Sequence, residues 1–339
     1  MLAAMDAYGF EFQAMSSACD MCLEGGDDPW LAAAAQRAID EVRRIEVKYS
    51  RYRGDSIVSR INAAAGRDEA IAVDDETAAL LDFAGVLHEA SDGLFDVTSG
   101  VLRRAWDFRA ARLPDPAALA ALLPLVGWQQ VHWHAHHIRL PREGMELDFG
   151  GFGKEYAADR AAEVLRAAGV QHGFVNLGGD IRVVGPRADG RPWRFGIQHP
   201  RQGEGQTIAS VEMSTGALAT SGDYERFFEH EGRRYCHILD PRTGWPVGCG
   251  HPASCVPSRQ AGGRAASCSQ AAASWASISV TAPACTAAGA LSTIAMLKGE
   301  SALEFLATQG ATYLAVDAAL RLFQPDLPQS RQFDYGEDQ

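Results

Sequence analysis

The sequence predicts an α+β fold, with mixed or antiparallel sheets and flanking helices. Helical spacing of apolar residues marks the early part of the chain and returns after Cys285, while short strand-type runs crowd positions 174–280. No strand–helix alternation recurs and no internal repeat is visible, which argues against a doubly wound sheet. Asp28-Pro29 caps a first helix, in which Leu31, Ala35, Ala38, Val42 and Ile45 recur at three and four. A second helix follows Asp74 and ends near Gly93, and Asp115-Pro116 opens a short third. Alternating residues through 128–149 read as a hairpin, leading through Met145-Glu-Leu147 into Asp148-Phe-Gly-Gly-Phe-Gly-Lys154. The run Glu155–Leu165 is helical and stops at Gly169. Strand-type segments then follow at Phe174–Leu177, Ile181–Val184, Trp193–Ile197, Ile208–Val211, Tyr235–Leu239 and Ser277–Val280. Helices return over Cys285–Leu297 and 301–309.

Composition narrows the function. A chain of 339 residues, 47% hydrophobic and 22% charged, has ample core for one large unit or two joined lobes. No run approaches the roughly 18 apolar residues of a bilayer span. Met1-Leu-Ala-Ala-Met-Asp6 lacks a basic region followed by an apolar one, so the chain reads as cytoplasmic and without an export signal. A net charge of −12 repels polyanions, which excludes nucleic acid and acidic membrane surfaces as partners. An anionic ligand then needs a local cation or metal. Seven cysteines (Cys19, Cys22, Cys236, Cys249, Cys255, Cys268, Cys285) are scattered and odd in number, which is no disulfide framework. Cys19-Asp-Met-Cys22 has redox spacing, but on a strand its thiols face opposite ways. His132, His134 and His136 share one face if their segment is a strand; no cysteine or carboxylate is spaced to complete a zinc site, and a polar hairpin is the favoured reading. Cys249–Ala273, rich in Ser, Ala, Gly and Gln, reads as an inserted flexible loop in a single domain over 10–325, with a tail at 326–339.

Asp148–Lys154 has the shape of an anion cradle. Its glycines admit close backbone approach, the following helix N-terminus carries partial positive charge, and Lys154 adds a full one. A phosphorylated ligand is the first expectation; a glycine-rich turn that binds nothing is the alternative.

Six segments in order resemble the ApbE family, the FAD:protein FMN transferases, over nearly the whole chain. They are Ser50–Asn62, Ser91–Gly100 with its Gly-Leu-Phe-Asp-Val-Thr wording, Asp148–Asp159, Asn176-Leu-Gly-Gly-Asp180, Ala219–Glu225, and His237-Ile-Leu-Asp-Pro-Arg-Thr-Gly244. The resemblance implies an ApbE-like fold with FAD as substrate in a cleft between two lobes. It also implies transfer of FMN through a phosphoester to a Ser or Thr of an acceptor flavoprotein, with release of AMP. Carried over by position, Met15, Tyr52, Leu94, Phe95, Asp96, Asp148, Lys154 and Ile238 contact FAD, Lys154 lying nearest the diphosphate. His237 orients or deprotonates the acceptor hydroxyl, while the Gly151 carbonyl and the Thr293 hydroxyl match metal-binding positions. Each has a plainer reading: Tyr52 and Phe95 as core aromatics, Asp96 and Asp148 as backbone caps, His237 as a satisfied interior histidine.

One departure stands out. The family's metal-binding helix begins Ala-Asp-Ala-Leu-x-Thr, and here it reads Ala288-Gly-Ala-Leu-Ser-Thr293, so Gly289 replaces the aspartate ligand. Mg²⁺ binding is therefore expected to be weak and FAD-dependent, unless Asp148, Asp180 or Asp240 approaches. The same departure keeps two other functions open, a catalytically weak FAD-binding homologue and a pyrophosphatase giving FMN and AMP. Family members are often periplasmic or lipid-anchored, in contrast to the start of this sequence.

Overall fold

A computed structural model describes residues 7–203, 205–250, 274–326 and 333–334. Its strands, in chain order, are β1 (Tyr8–Ala14), β2 (Ser17–Glu24), β3 (Ile71–Ala72), β4 (His132–His134), β5 (His137–Arg139), β6 (His172–Leu177), β7 (Asp180–Gly185) and β8 (Trp193–Gln198). Then come β9 (Thr207–Met213), β10 (Ala217–Gly222), β11 (Phe227–His230), β12 (Arg233–Cys236), β13 (Trp275–Ala282), β14 (Thr312–Asp317) and β15 (Leu322–Phe323). The helices are α1 (Asp28–Tyr49), α2 (Ile57–Ala63), α3 (Asp75–Ala90), α4 (Pro116–Leu122), α5 (Gly153–Ala167), α6 (Cys285–Lys298) and α7 (Ala302–Thr308).

One eight-stranded sheet, ordered β1-β2-β6-β7-β10-β13-β14-β15, organises these elements, and every adjacent pair is antiparallel. Side-chain alternation divides it into two buried faces. Tyr313 and Ala315 point into the core built with α1, α5, α6 and α7, while Leu314 and Val316 point into a second core under the β8–β9 hairpin. With both faces covered, β13 is buried at six consecutive positions, the polar Ser277 and Ser279 included. A third cluster packs Trp106, Leu119, Phe228, Tyr235 and Trp245 beside the loop that carries His237.

The helices follow their sequence signals with small shifts. Asp27, not Asp28-Pro29, is the α1 cap: its carboxylate accepts from Trp30 N at 3.0 Å, and Pro29 sits in the first turn where it loses no helical hydrogen bond. Asp74 and Asp115 cap α3 and α4 as read. The 128–149 stretch is a hairpin only over 132–139; residues 140–152 contain no strand, so the glycine segment leads from a loop into α5. His136 does not share the face of His132 and His134, because Ala135 and His136 turn the chain at φ 47° and 63°. The polar-hairpin reading of these histidines therefore holds. Cys19 and Cys22 lie on β2, packed against opposite cores, and both are free thiols. Strands β1, β3, β10, β11, β14 and β15 and helix α2 are additions to the sequence reading. Residues 251–273 of the expected loop, and all of the expected tail except 326, 333 and 334, lie outside the described residues.

Candidate functional site

Lys154 stands in the first turn of α5, where Phe152 offers no side-chain cap to the free N–H groups. Its ammonium is held 2.8 Å from Asp180 Oδ2 and donates to the Gly178 carbonyl at 3.1 Å. Both partners come from the β6–β7 turn, where Gly178 and Gly179 adopt φ 59° and 93°, the left-handed pair that a two-residue hairpin requires. Asn176 accepts from Gly179 N at 2.8 Å and closes that turn. The Asn-Leu-Gly-Gly-Asp wording thus builds a socket for Lys154. Burial works against the lysine charge, but Asp180 and Glu155 outweigh it and raise the ammonium above the ordinary lysine value.

The cradle glycines answer to neighbours within the protein. A Cβ on Gly151 would lie 2.8 Å from the Phe95 ring, and one on Gly150 would lie 3.0 Å from Asp148 Oδ1. Asp148 accepts from Gly150 N at 2.8 Å through that same oxygen. Through its other oxygen it meets Arg51 at 3.0 Å and Arg103 at 3.4 Å. It is thus a cap and an anchor for two arginines. Phe95 stacks on Phe152, centroids 6.3 Å apart, and Leu94 is buried beside it.

Both carboxylate oxygens of Asp96 have partners within the protein. Its Oδ1 accepts from Thr98 N and Thr98 Oγ1, and its Oδ2 accepts from Trp128 N at 2.8 Å. It is the cap that the plainer reading describes. Tyr52 is 79% exposed and rests on the Arg51 guanidinium, 5.3 Å from the ring centre, so it is no core aromatic. Met15 forms the β1–β2 turn at φ 52° and donates its N–H to Glu46 on α1 at 2.7 Å.

His237 follows β12 directly and donates its backbone N–H to the Arg226 carbonyl at 3.0 Å. Its Nδ1 is buried without a hydrogen-bond partner. Burial, with the charges of Arg226, Arg103 and Lys154 around it, pulls the imidazole down to about 4, so it is neutral at physiological pH. Ile238 is buried, and Asp240 closes the next turn by binding Arg242 at 2.6 Å.

On α6, Ser292 donates to the Gly289 carbonyl at 3.0 Å. Ser221 of β10 shares hydrogen bonds with Ser292 at 2.8 Å and with Thr293 at 2.9 Å. Gly289 lies against Glu155: a Cβ there would meet Glu155 Oε1 at 2.5 Å. Glu155 is buried, its Oε2 has no partner, and burial followed by Asp180 pushes its carboxyl up to about 8 against the pull of Lys154. Asp159, one turn along α5, sets this contact. It accepts from Cys285 N at 2.8 Å, Thr286 N at 2.9 Å and Thr286 Oγ1, capping α6 from a neighbouring helix, and it pairs with Arg182 at 3.0 Å.

The structure therefore joins Lys154 to Asp180, Glu155 to Gly289, Thr293 to Ser221, and Gly151 to Phe95. Sequence reasoning passed over Glu155, Ser221, Ser292, Arg51, Arg103 and Arg226. For Glu155 the signal was present: it shares the buried α5 face with Ala158, Ala162 and Leu165, where a carboxylate is out of place. Among the described residues, no three His, Cys, Asp or Glu side chains cluster in a metal-binding arrangement.

Comparison with known proteins agrees with this geometry. The ApbE family model matches residues 14–272, a stretch that includes the cradle, the paired-glycine turn and His237 but ends before α6. The FAD:protein FMN transferase of Treponema pallidum is 36% identical over 238 residues, covering 64% of this chain and 65% of that protein. The Klebsiella pneumoniae protein of that name is 34% identical over 219 residues, covering 63% and 67%. The matches thus span about two thirds of the length of these relatives. The ApbE protein of Thermotoga maritima superposes with a TM-score of 0.80 at 27% identity, over 95% of this chain and 97% of that one. The apo flavinyl transferase ApbE of Pseudomonas stutzeri gives 0.77 at 27%, over 96% of each. The expected α+β architecture is that of these structures, and with the family model running through the Lys154 socket and the His237 turn, the chain belongs to the ApbE family.

Proposed function

We propose that this chain is an FAD:protein FMN transferase. A Ser or Thr hydroxyl of an acceptor flavoprotein attacks the phosphorus on the FMN side of FAD. The new P–O bond forms as the bridging P–O bond breaks, AMP leaves, and the hydroxyl proton passes to solvent. The observation that carries this reading is the pairing of two groups: a charged Lys154 locked at an uncapped helix N-terminus, and a neutral His237 within its field whose buried Nδ1 has no partner. The first is suited to a diphosphate, because ammonium and helix N–H groups both favour anions. The second is suited to the nucleophile. An imidazole at about 4 is a weak base, so its contribution is to accept the hydroxyl hydrogen bond and orient the oxygen in line, passing the proton on as the P–O bond forms.

Tyr52, exposed beside Arg51, offers a face for stacking on a flat ring, and Leu94, Phe95 and Ile238 are buried apolar residues suited to the flavin's apolar face. Asp148 acts through Arg51 and Arg103, which add positive charge near the cradle. A divalent cation also fits the residues present. The space beside Gly289 is filled by a carboxyl group with an unpartnered oxygen, and Thr293 follows Gly289 by one turn on the same helix. Mg²⁺, held in part by the Gly151 carbonyl and Thr293, supplies neutralisation of the bridging phosphates when bound.

Mass spectrometry of a Thr-containing acceptor incubated with the protein, FAD and Mg²⁺, with AMP measured in the same tube, tests the proposal. An FMN adduct with matching AMP is the expected result. AMP with free FMN assigns a pyrophosphatase, and FAD binding with neither product assigns a catalytically weak flavin-binding homologue. Among the described residues no helix is long and apolar enough to cross a membrane.

A further inference from the structure

We infer that Glu155 supplies the carboxylate ligand that Gly289 lacks, so that the divalent-cation site of this chain is anchored from α5 instead of α6. The inference rests on the transferase reading for its cation, but its geometry stands on this chain alone. A Cβ built on Gly289 lies 2.5 Å from Glu155 Oε1, 2.6 Å from Cγ and 2.8 Å from Cδ. Any side chain at 289 must therefore displace the Glu155 carboxylate, and the carboxylate occupies the volume that a residue at 289 would use. Glycine at 289 and glutamate at 155 are two halves of one arrangement.

The carboxylate also has capacity to spare. Glu155 is 8% exposed, and its Oε2 is buried with no hydrogen-bond partner, which costs free energy that a bound cation would recover. Lys154 does not satisfy it, because that ammonium is committed to Asp180 and the Gly178 carbonyl. Asp180 is correspondingly occupied, and Asp240 is bound to Arg242, so neither of these carboxylates replaces the missing ligand. Glu155 is fixed in place from one turn away. Asp159 binds the α6 N-terminus at Cys285 and Thr286, one turn before Gly289, and so holds the two helices in register. Thr293 follows Gly289 by one further turn and shares a hydrogen bond with Ser221. The cation class is a hard divalent ion such as Mg²⁺, because the donors are a carboxylate, a hydroxyl and a backbone carbonyl with no sulfur or imidazole among them.

The test is calorimetric titration of Mg²⁺ into the full chain, with and without saturating FAD, for the wild type, Glu155→Gln, and the double variant Glu155→Gly with Gly289→Asp. Glu155→Gln keeps the shape and removes the ionisable group that a bound cation would hold as a carboxylate. The expected result is at least tenfold weaker Mg²⁺ binding in Glu155→Gln, with metal-free FAD binding changed less than threefold, and recovery to within about threefold of wild type in the double variant. Unchanged Mg²⁺ affinity in Glu155→Gln, with a rise in Tm from loss of a buried acid, would overturn the inference, as would failure of a folded double variant to bind Mg²⁺. Failure of the transferase reading is separable: if Glu155→Gln loses Mg²⁺ while the wild type forms no FMN adduct, the ligand assignment stands and the activity does not.

Discussion

Lys154 shows how much of a binding site is decided by what holds one side chain. Its ammonium is 2.8 Å from Asp180, itself 4% exposed, so removing either charge leaves the other poorly compensated. Lys154→Met is expected to lower stability by on the order of 3 kcal/mol and to abolish measurable FAD binding. Adding Asp180→Asn should restore most of the stability, because the buried uncompensated carboxylate is gone, while FAD binding stays lost. Urea unfolding and flavin fluorescence titration on the two variants check this. A lysine that serves only as a structural ion pair would give FAD binding that recovers with stability.

The α5–α6 pair carries the consequence at the level of elements. Both helices bury many small residues: Ala157, Ala158, Ala161 and Ala162 on α5, and Ala288, Gly289 and Ala290 on α6. Small side chains allow the close approach that places Glu155 against Gly289. Their register is set by Asp159, which satisfies two free N–H groups and a hydroxyl at the start of α6. Asp159→Ala is expected to cost about 2 kcal/mol, near the upper end for loss of a helix cap, since the partly buried Arg182 also loses its ion pair. It should also weaken Mg²⁺ binding several-fold although no ligand is removed. Denaturant midpoints and Mg²⁺ calorimetry on this variant measure the two effects. A stability loss with unchanged Mg²⁺ affinity would show that the cap does not position Glu155.

At the scale of the whole molecule, His237 ties stability to pH. Its folded value of about 4 lies below the ordinary histidine value of roughly 6.5. Between these values the unfolded chain binds a proton that the folded chain does not, so stability rises with pH across that window and is lost as pH falls through it. The loss attributable to His237 is on the order of 3 kcal/mol by pH 4. His237→Gln should flatten the pH dependence of Tm between pH 4 and 6.5, which differential scanning calorimetry reads directly. An unchanged slope would mean that the imidazole is solvated and titrates normally.

Much of this protein was legible in its sequence because local physics dominates there. Asp74 and Asp115 announce their helices by capping chemistry, and six segments in order carry the family resemblance. Strands β10 and β14 were not legible, because they are buried on both faces of the central sheet and lack the alternation that marks a half-exposed strand. The edge strand β1 does alternate, as Tyr8-Gly-Phe-Glu-Phe-Gln13 shows, and its signal was passed over. That the Asp96 oxygens accept from Thr98 and from Trp128, the latter 32 positions away, was not legible in the sequence. Only the tertiary structure could relate Gly289 to Glu155. The sequence determined that a carboxylate was missing at Gly289; the packing of α5 on α6, with Asp159 binding the start of α6, decided that the Glu155 carboxyl fills the space beside it.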